Sequence, residues 1–402
     1  MIFEPDLETM PREQLEALQR ERLRTLAEVD SLDDLRGVPF TRKSDLRNSY
    51  PLGRVAVPRD RLRRISASSG TTGKPTVVAY TDHDLDVFAR VVARVLAAAG
   101  AEPGMTLHNA YGYGLFTGGL GFHDGGERLG MTVVPVSGGM TERQVTLISD
   151  LEPDVIACTP SYALTLAQAF AERGMSPGEI SLRIAMLGAE PWTEAMRREI
   201  DTGLGVRAVN VYGLSEIIGP GVAGECAEAR SGLHVNEDHF LPEIVDPETG
   251  EPVPDGDSGV LVITTLTKEA LPLIRYWTGD ITSIQRTPCS CGRTFARMAP
   301  PTGRTDDMLI IRGVNVYPSQ VEAILLELAE LTPNYRIVVE RAGTLDTAAV
   351  EIETTEPSDA LRKRAEMLLV ETIGCSIAVH LAEPGTLPRS EGGKLQRVDD
   401  RR

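Results

Sequence analysis

The chain is poor in cysteine and in positive charge, and it has no long apolar run. Five cysteines among 402 residues is a small and odd number, which excludes a disulfide scaffold and fits reduced thiols in a cytoplasmic protein. Lys and Arg number 41 against 58 Asp and Glu, a formal net charge of −17. That balance argues against nucleic acid or an anionic membrane as the main partner. It does not exclude ATP, because the field inside a cleft can oppose the global sign. No uninterrupted apolar stretch reaches the roughly 18 residues that mark a membrane span. The opening MIFEPDLETM lacks the cationic start and apolar core of a secretory signal.

What is present reads as a soluble enzyme, with 42% hydrophobic and 25% charged residues. The length implies about two or three domains. Residues 11–26 form an amphipathic pattern, with Leu15, Leu18, Leu23 and Leu26 near helical spacing. β-branched runs at 132–136, 155–158, 183–187 and 206–211 then alternate with helical stretches at 85–99, 141–151, 161–173 and 193–202. Such alternation predicts α/β layers around largely parallel strands. Residues 232–282 turn to short strands and turns, a β-rich subdomain. After a Pro/Gly boundary at 299–304, helices at 319–331 and 358–373 with strands at 335–340 and 348–354 predict a compact α+β unit. The expected fold is α/β: a large multi-layered N-terminal domain over residues 1–303, and a small mobile C-terminal lid over 304–402.

Residues 65–75 read ISASSGTTGKP. Hydroxyls, glycine backbone N–H groups and one lysine suit a triphosphate. A Walker loop needs G-x-x-x-x-G-K-[ST], and here Ser68 stands at the required glycine and Pro75 follows Lys74, so the match fails twice. By itself the loop is as well explained as a flexible polar turn.

The loop does not stand alone. SSGTTGKP followed by TVVAYT resembles the phosphate-loop signature of the adenylate-forming superfamily of acyl-CoA synthetases, adenylation domains and luciferases. YGLSE at 212–216 resembles its Y-G-x-[ST]-E motif, YWTGD at 276–280 its Y-x-T-G-D motif, and GRTDD at 303–307 its hinge motif. YGYGLFTGG (111–119), GAEPW (188–192), TTLTKEAL (264–271) and MLIIRGVNVYP (308–318) narrow the resemblance to phenylacetate–CoA ligases, from the first helix to the last ten residues.

The resemblance implies two half-reactions: carboxylate plus ATP gives acyl-adenylate and pyrophosphate, then a thiol displaces AMP. Because the first step brings an anion to a polyanion, the site must offset charge. Ser68, Ser69, Gly70, Thr71, Thr72, Gly73 and Lys74 would hold the phosphates. Glu216 would bind Mg²⁺, which prefers oxygen ligands. Gly188, Ala189, Glu190, Tyr212, Gly213 and Ser215 would frame AMP, with Asp280 on the ribose and Arg304 beside ribose and phosphate. Lys394, in PRSEGGK, matches the late lysine of the first half-reaction, although relatives read S-x-G-K with one glycine fewer. Asp306 matches the position about which the lid turns, which would bring residues 312–317 (RGVNVY) to the site in place of Lys394. Tyr111 and Phe116 would wall the acyl pocket.

Two departures bear on the substrate and the surroundings. Phe122 stands where relatives have a small residue, and Asp124 follows close by. A ring there is expected to shorten the pocket and favour a benzoate-length acid, with Asp124 selecting an amino or hydroxyl substituent; the bland reading has Phe122 in the core and Asp124 in solvent. About thirty residues usual in the family between the first helix and SLDDLRGVPFT are missing.

Cys226 and His234 stand eight apart, and Cys289 and Cys291 follow about sixty residues later. Three thiols and an imidazole suit tetrahedral Zn²⁺, although C-x-C is tighter than the usual C-x₂-C, and metal-free cysteines remain the alternative. Cys158 and Cys375 read as buried small hydrophobes.

The sequence therefore points to ATP- and Mg²⁺-dependent adenylation of an aromatic acid with coenzyme A as acceptor. A carrier protein or an amine is the alternative acceptor, and a homodimer is common in the family. The rivals are a zinc-stabilised nucleotide-binding protein without catalysis, a phosphotransferase, and activation of a group other than a carboxylate.

Overall fold

The computed structural model describes residues 1–27, 29, 32–68, 75–305, 309–311, 314–342, 345–390 and 395–402. Four helices open the chain: α1 (Pro5–Glu8), α2 (Arg12–Ala27), α3 (Leu32–Arg36) and α4 (Lys43–Asn48). A hairpin of β1 (Arg64–Ser68) and β2 (Thr76–Tyr80) brackets the glycine-rich loop, pairing Arg64 with Tyr80 and Ser68 with Thr76. Helix α5 (Asp82–Ala98) starts at Thr81, whose side chain accepts from the Asp84 N–H while Asp84 accepts from the Thr81 N–H. That reciprocal pair satisfies two end donors of the helix.

The alternation expected from the sequence then appears as β3 (Thr106–Asn109), α6 (Thr117–Leu129), β4 (Thr132–Val134), α7 (Thr141–Leu151), β5 (Val155–Cys158), α8 (Pro160–Glu172), β6 (Ile184–Gly188), α9 (Glu194–Leu204) and β7 (Arg207–Leu214). Strands β4, β3, β5, β6 and β7 lie side by side and parallel. Antiparallel β8 (Gly219–Glu225), β9 (Leu233–Val235), β13 (Ile284–Gln285) and β14 (Arg297–Met298) extend them into one sheet of nine strands among the described residues. The β-rich subdomain is an antiparallel sheet in the order β10 (Phe240–Val245), β11 (Gly259–Thr265), β12 (Tyr276–Thr282) and β15 (Gly303–Arg304).

The C-terminal unit has its own buried core, running from Leu309 to Val379. It holds the hairpin β16 (Leu309–Ile311) and β17 (Val314–Val316), helix α10 (Pro318–Leu325), strands β18 (Leu331–Ala342) and β19 (Leu345–Thr354), helix α11 (Asp359–Ile373), and β20 (Ala378–Ala382) and β21 (Val398–Asp400). No described helix is long and apolar enough to cross a membrane.

Two elements differ from the sequence reading. The helix expected over 319–331 stops at Leu325, and Leu331 already belongs to β18. Apolar residues serve both elements there, so periodicity blurs the boundary. Helix α6 was hidden by its glycines. A Cβ on Gly121 would stand 2.6 Å from the Phe88 ring, and one on Gly125 2.4 Å from Val92. The glycines that weaken the helix alone let it lie against α5.

A buried ionic cluster ties the first helices to the body. The Arg94 guanidinium forks onto the Asp238 carboxylate at 2.8 and 3.0 Å and also pairs with Glu4. Arg12 forks onto Glu237 at 3.0 and 2.8 Å. Desolvation opposes the Asp238 charge, yet His239 and Arg94 hold its carboxyl below the usual range. Breaking such a pair from one side strands a buried charge, a loss of about 3–5 kcal/mol. Arg94→Met should lower unfolding free energy by that order in urea titration, and a change below 1 kcal/mol would show the pair to be incidental.

Candidate active site

The site forms where three strand ends meet. At the end of β6, Gly188 lies so close to β7 that a Cβ would stand 2.3 Å from the Val211 carbonyl oxygen. Ala189 follows with φ of +74°, and this left-handed turn carries Glu190 out of the sheet line. At the end of β7 come Tyr212 and Gly213; a Cβ on Gly213 would stand 1.9 Å from the Gly219 carbonyl oxygen. From β12, Asp280 accepts from the Tyr212 hydroxyl at 2.5 Å and from Arg304 of β15 at 2.6 Å. Arg304 also donates to the Thr278 carbonyl at 3.0 Å. Burial first, and the Asp280 charge second, push the Tyr212 phenol well above its ordinary value, so it stays a donor.

These residues line a cavity of about 130 Å³, with Ala189, Glu190, Trp192, Asp280, Gly303 and Arg304 around it. A second cavity of about 110 Å³ adjoins it and shares Ala189, Val211, Tyr212, Gly213 and Leu214. Its other walls include Tyr111, Phe116, Phe122 and Ser215. The Tyr111 and Phe122 rings stack with centroids 5.4 Å apart and planes 5° from parallel. The result is two chambers that share a wall: one, the polar chamber, bears the charged side chains of Glu190, Asp280 and Arg304, and the other, the aromatic chamber, is lined by rings. A larger cavity of about 260 Å³, lined by Arg12, Gln19, Glu243 and others, shares no residue with either.

Among the described residues most of the expected site residues come together, and two differ. Asp124 lines neither cavity; its carboxylate pairs with Arg64 at 2.7 Å. Two residues beyond Phe122 on α6, it faces about 200° away from it, given 100° per residue. Ser215 lines the aromatic chamber rather than the polar one, with its hydroxyl 3.0 Å from that of Thr117. Glu190 borders the polar chamber, but its carboxylate accepts from the Ser161 N–H at 2.7 Å and the Leu395 N–H at 3.3 Å. Glu216 is nearly buried, with Oε1 3.1 Å from the Lys43 ammonium and 3.5 Å from the Ser68 hydroxyl. It thus stands at the foot of the glycine-rich loop. Ser69, Gly70, Thr71, Thr72, Gly73, Lys74, Asp306 and Lys394 lie outside the described residues.

One supporting residue escaped the sequence reading. Lys268 is buried under the Glu216 loop and donates to the Glu216 and Ile217 carbonyls at 2.9 and 2.7 Å. Its Nζ stands 5.1 Å from the Tyr80 ring centre. Burial lowers its amine to about 8. Its place in the TTLTKEAL string was the only signal, and spacing alone does not reveal a buried amine.

Away from these cavities, Cys226, His234, Cys289 and Cys291 bring their ligand atoms within 4.8 Å of one another. The Sγ atoms of Cys226 and Cys289 are 3.7 Å apart, and Cys291 Sγ lies 3.4 Å from His234 Nε2.

Residues 2–267 match the family model for AMP-binding enzymes, and residues 313–402 match that for the AMP-binding enzyme C-terminal domain. The chain belongs to the AMP-binding enzymes. It is an AMP-forming acid–thiol ligase of that family. Among similar proteins, phenylacetate–coenzyme A ligase of Thermus thermophilus is 60% identical over 444 aligned positions, covering 100% of both chains. That of Aromatoleum evansii is 51% identical, covering 93% of this chain and 87% of its own. Among solved structures, 2-hydroxyisobutyryl-CoA ligase in the postadenylation state, in complex with 2-HIB-AMP, is 27% identical. It covers 100% of this chain and 92% of that one, with a TM-score of 0.90. The same ligase with 2-HIB-AMP and CoA in the thioesterification state gives 0.73, over 98% and 91%. This AMP-binding enzyme therefore superposes more closely on the postadenylation structure of that ligase than on its thioesterification structure.

Lys268→Met should leave two carbonyls of the Glu216 loop unpaired, at about 1–3 kcal/mol each. Stability should fall and so should turnover with saturating ATP. Because the fold disfavours the charged amine while the unfolded chain keeps its proton up to 10.5, the wild type should gain on the variant as pH rises from about 8 towards 10.5. A pH-independent difference in urea titrations would contradict the lowering of this amine by burial.

Proposed function

We propose that this chain activates phenylacetate with ATP to phenylacetyl-adenylate and pyrophosphate, and then transfers the acyl group to coenzyme A. The single observation carrying the reading is the pair of adjoining chambers with one wall in common. An aryl ring held between Tyr111, Phe116 and Phe122 would direct its carboxylate across Tyr212 and Gly213 towards a nucleotide. Asp280 would accept from the ribose hydroxyls, Arg304 would face ribose and phosphate, and Gly188, Ala189 and Glu190 would flank adenine. Ser68 and the residues up to Lys74 would hold the outer phosphates. Lys394 would stabilise charge at the α-phosphate during the first step, with the lid turning about Asp306 before the second. The body would end near 303 and the lid begin near 304, in keeping with the separate C-terminal core.

Phenylacetate replaces the benzoate-length acid expected from Phe122. The four relatives at 50–60% identity are all named phenylacetate–coenzyme A ligases, while a 3-hydroxybenzoate–CoA ligase is only 24% identical. The physical reason lies in the stacking: the Phe122 ring lies flat against Tyr111, so its volume goes into a wall. Asp124, paired with Arg64, is not available to select a ring substituent.

Two metals fit their residues. Glu216 offers Mg²⁺ a hard oxygen beside the phosphate loop, and the metal would supply charge to offset the pyrophosphate leaving group. Tetrahedral bonds of about 2.0–2.3 Å to zinc imply ligand–ligand edges of about 3.5–3.8 Å. The 3.7 Å and 3.4 Å separations in the Cys/His cluster are close to these edges. Zinc there would be structural, since four protein ligands leave no open position.

In coupled assays of AMP formation with CoA, phenylacetate should exceed benzoate and hydroxybenzoates in kcat/KM by about 10–200-fold, the range for a one-methylene difference. Phe122→Ala should relax that preference towards bulkier acids. Benzoate preferred by the wild type would overturn the substrate assignment. Elemental analysis of protein purified without chelator should find about one zinc per chain. Cys289→Ser should lower both zinc content and thermal stability, while leaving KM for phenylacetate within about twofold. Metal-free protein of full stability would reject the zinc site.

A further inference from the structure

Glu190 does something that framing a nucleotide does not require. Its carboxylate bridges the two domains. One oxygen accepts from the Ser161 N–H at 2.7 Å, in the first turn of the 13-residue helix α8, where the helix dipole and free N–H groups favour an anion. Thr159 caps the same turn by accepting from the Tyr162 N–H. The carboxylate is thereby fixed before the lid arrives. Its second oxygen accepts from the Leu395 N–H at 3.3 Å.

Leu395 is firmly joined to the lid sheet. Two residues on, Arg397 donates to the Pro333 carbonyl at 2.7 Å, accepts through its own carbonyl from the Ile337 N–H at 2.8 Å, and lies 4.5 Å over the Tyr335 ring. Upstream, Arg389 forks onto the buried Glu353 carboxylate of β19 at 2.9 and 2.7 Å. A hydrogen bond at Leu395 therefore acts on the lid as a body, not on a loose tail. The domain arrangement in which it forms superposes more closely on the postadenylation structures of 2-hydroxyisobutyryl-CoA ligase, with TM-scores of 0.89 and 0.90, than on its thioesterification structure, with 0.73.

We propose that Glu190 is a positioning residue that latches the C-terminal domain over the nucleotide chamber for adenylation, with the Leu395 N–H as its donor. The latch rests on the two-step reading above. The bond must break before the thiol enters, so its loss should not slow the second step. Hydrogen bonds to a charged acceptor are about twice as strong as neutral ones, so losing this one should slow the first step by about 10- to 100-fold.

The test separates the half-reactions in the full-length protein. Pyrophosphate release is timed with ATP and phenylacetate, and thioester formation is timed from presynthesised phenylacetyl-adenylate and CoA. Glu190→Ala removes the acceptor; Leu395→Pro removes the donor and also narrows the backbone of Lys394, an effect that would add to that of Glu190→Ala in the double variant. Each should slow pyrophosphate release about 10- to 100-fold, and Leu395→Pro, which leaves the adenine-flanking Glu190 side chain in place, should keep thioester formation within about twofold. The double variant should fall short of the product of the two single losses. Glu190→Gln, which keeps one acceptor oxygen and the side-chain volume, should fall between wild type and Glu190→Ala and guards against a folding defect. Equal loss in both half-reactions from Leu395→Pro would overturn the latch, as would a Glu190→Ala effect confined to KM for ATP with Leu395→Pro unaffected. Absence of pyrophosphate from the wild type with every aryl acid would overturn the two-step reading and the latch with it.

Discussion

The end of strand β7 is the constraint on which the rest depends. Val211, Tyr212, Gly213 and Leu214 form the partition between the polar and the aromatic chamber. A partition one strand thick leaves no room for a side chain at Gly213, where the neighbouring Gly219 carbonyl sits at the place a Cβ would need. It is held from three directions: by Asp280 on the Tyr212 hydroxyl, by Lys268 on the carbonyls beyond Glu216, and by Tyr80 on the Ile218 carbonyl at 2.9 Å. Each support comes from a different sheet or loop, so the walls of both chambers depend on this strand end. Preorganisation of this kind spares the reaction the work of aligning two anions.

The charge balance of the chain fits that geometry. A molecule of net charge −17 keeps several of its cations for particular carboxylates: Arg94 for Asp238, Arg304 for Asp280 and Lys43 for Glu216. The last two pairs lie at the polar chamber and beside Ser68. A nucleotide and its metal entering there would meet cations already gathered, whose present partners are the carboxylates proposed to hold ribose and metal.

Much of this was legible in the sequence, and the residues show why some was not. The parallel strands declared themselves because each is a short β-branched run between helical patterns. The site motifs declared themselves because close backbone approach demands glycine at Gly188 and Gly213. The cysteine and histidine cluster was readable from residue types, despite its tight spacing. Helix α6 was not, because its glycines answer to the packing of α5 and not to helix propensity. Phe122 and Asp124 misled because a sequence gives the volume and charge of a side chain but not its direction; stacking on Tyr111 and pairing with Arg64 are tertiary facts. Glu190 was read as an adenine contact from its motif, and its link to Leu395, some two hundred residues away, has no local signature.

The central claim is that the carboxylate oxygen of the acid attacks the α-phosphate of ATP. The most direct measurement follows that oxygen. Phenylacetate labelled with ¹⁸O in its carboxylate is turned over with ATP and CoA, and the products are weighed by mass spectrometry. The account predicts one ¹⁸O atom in AMP, with unlabelled pyrophosphate. Label in inorganic phosphate, with ADP as the nucleotide product, would mean an acyl phosphate and would contradict it.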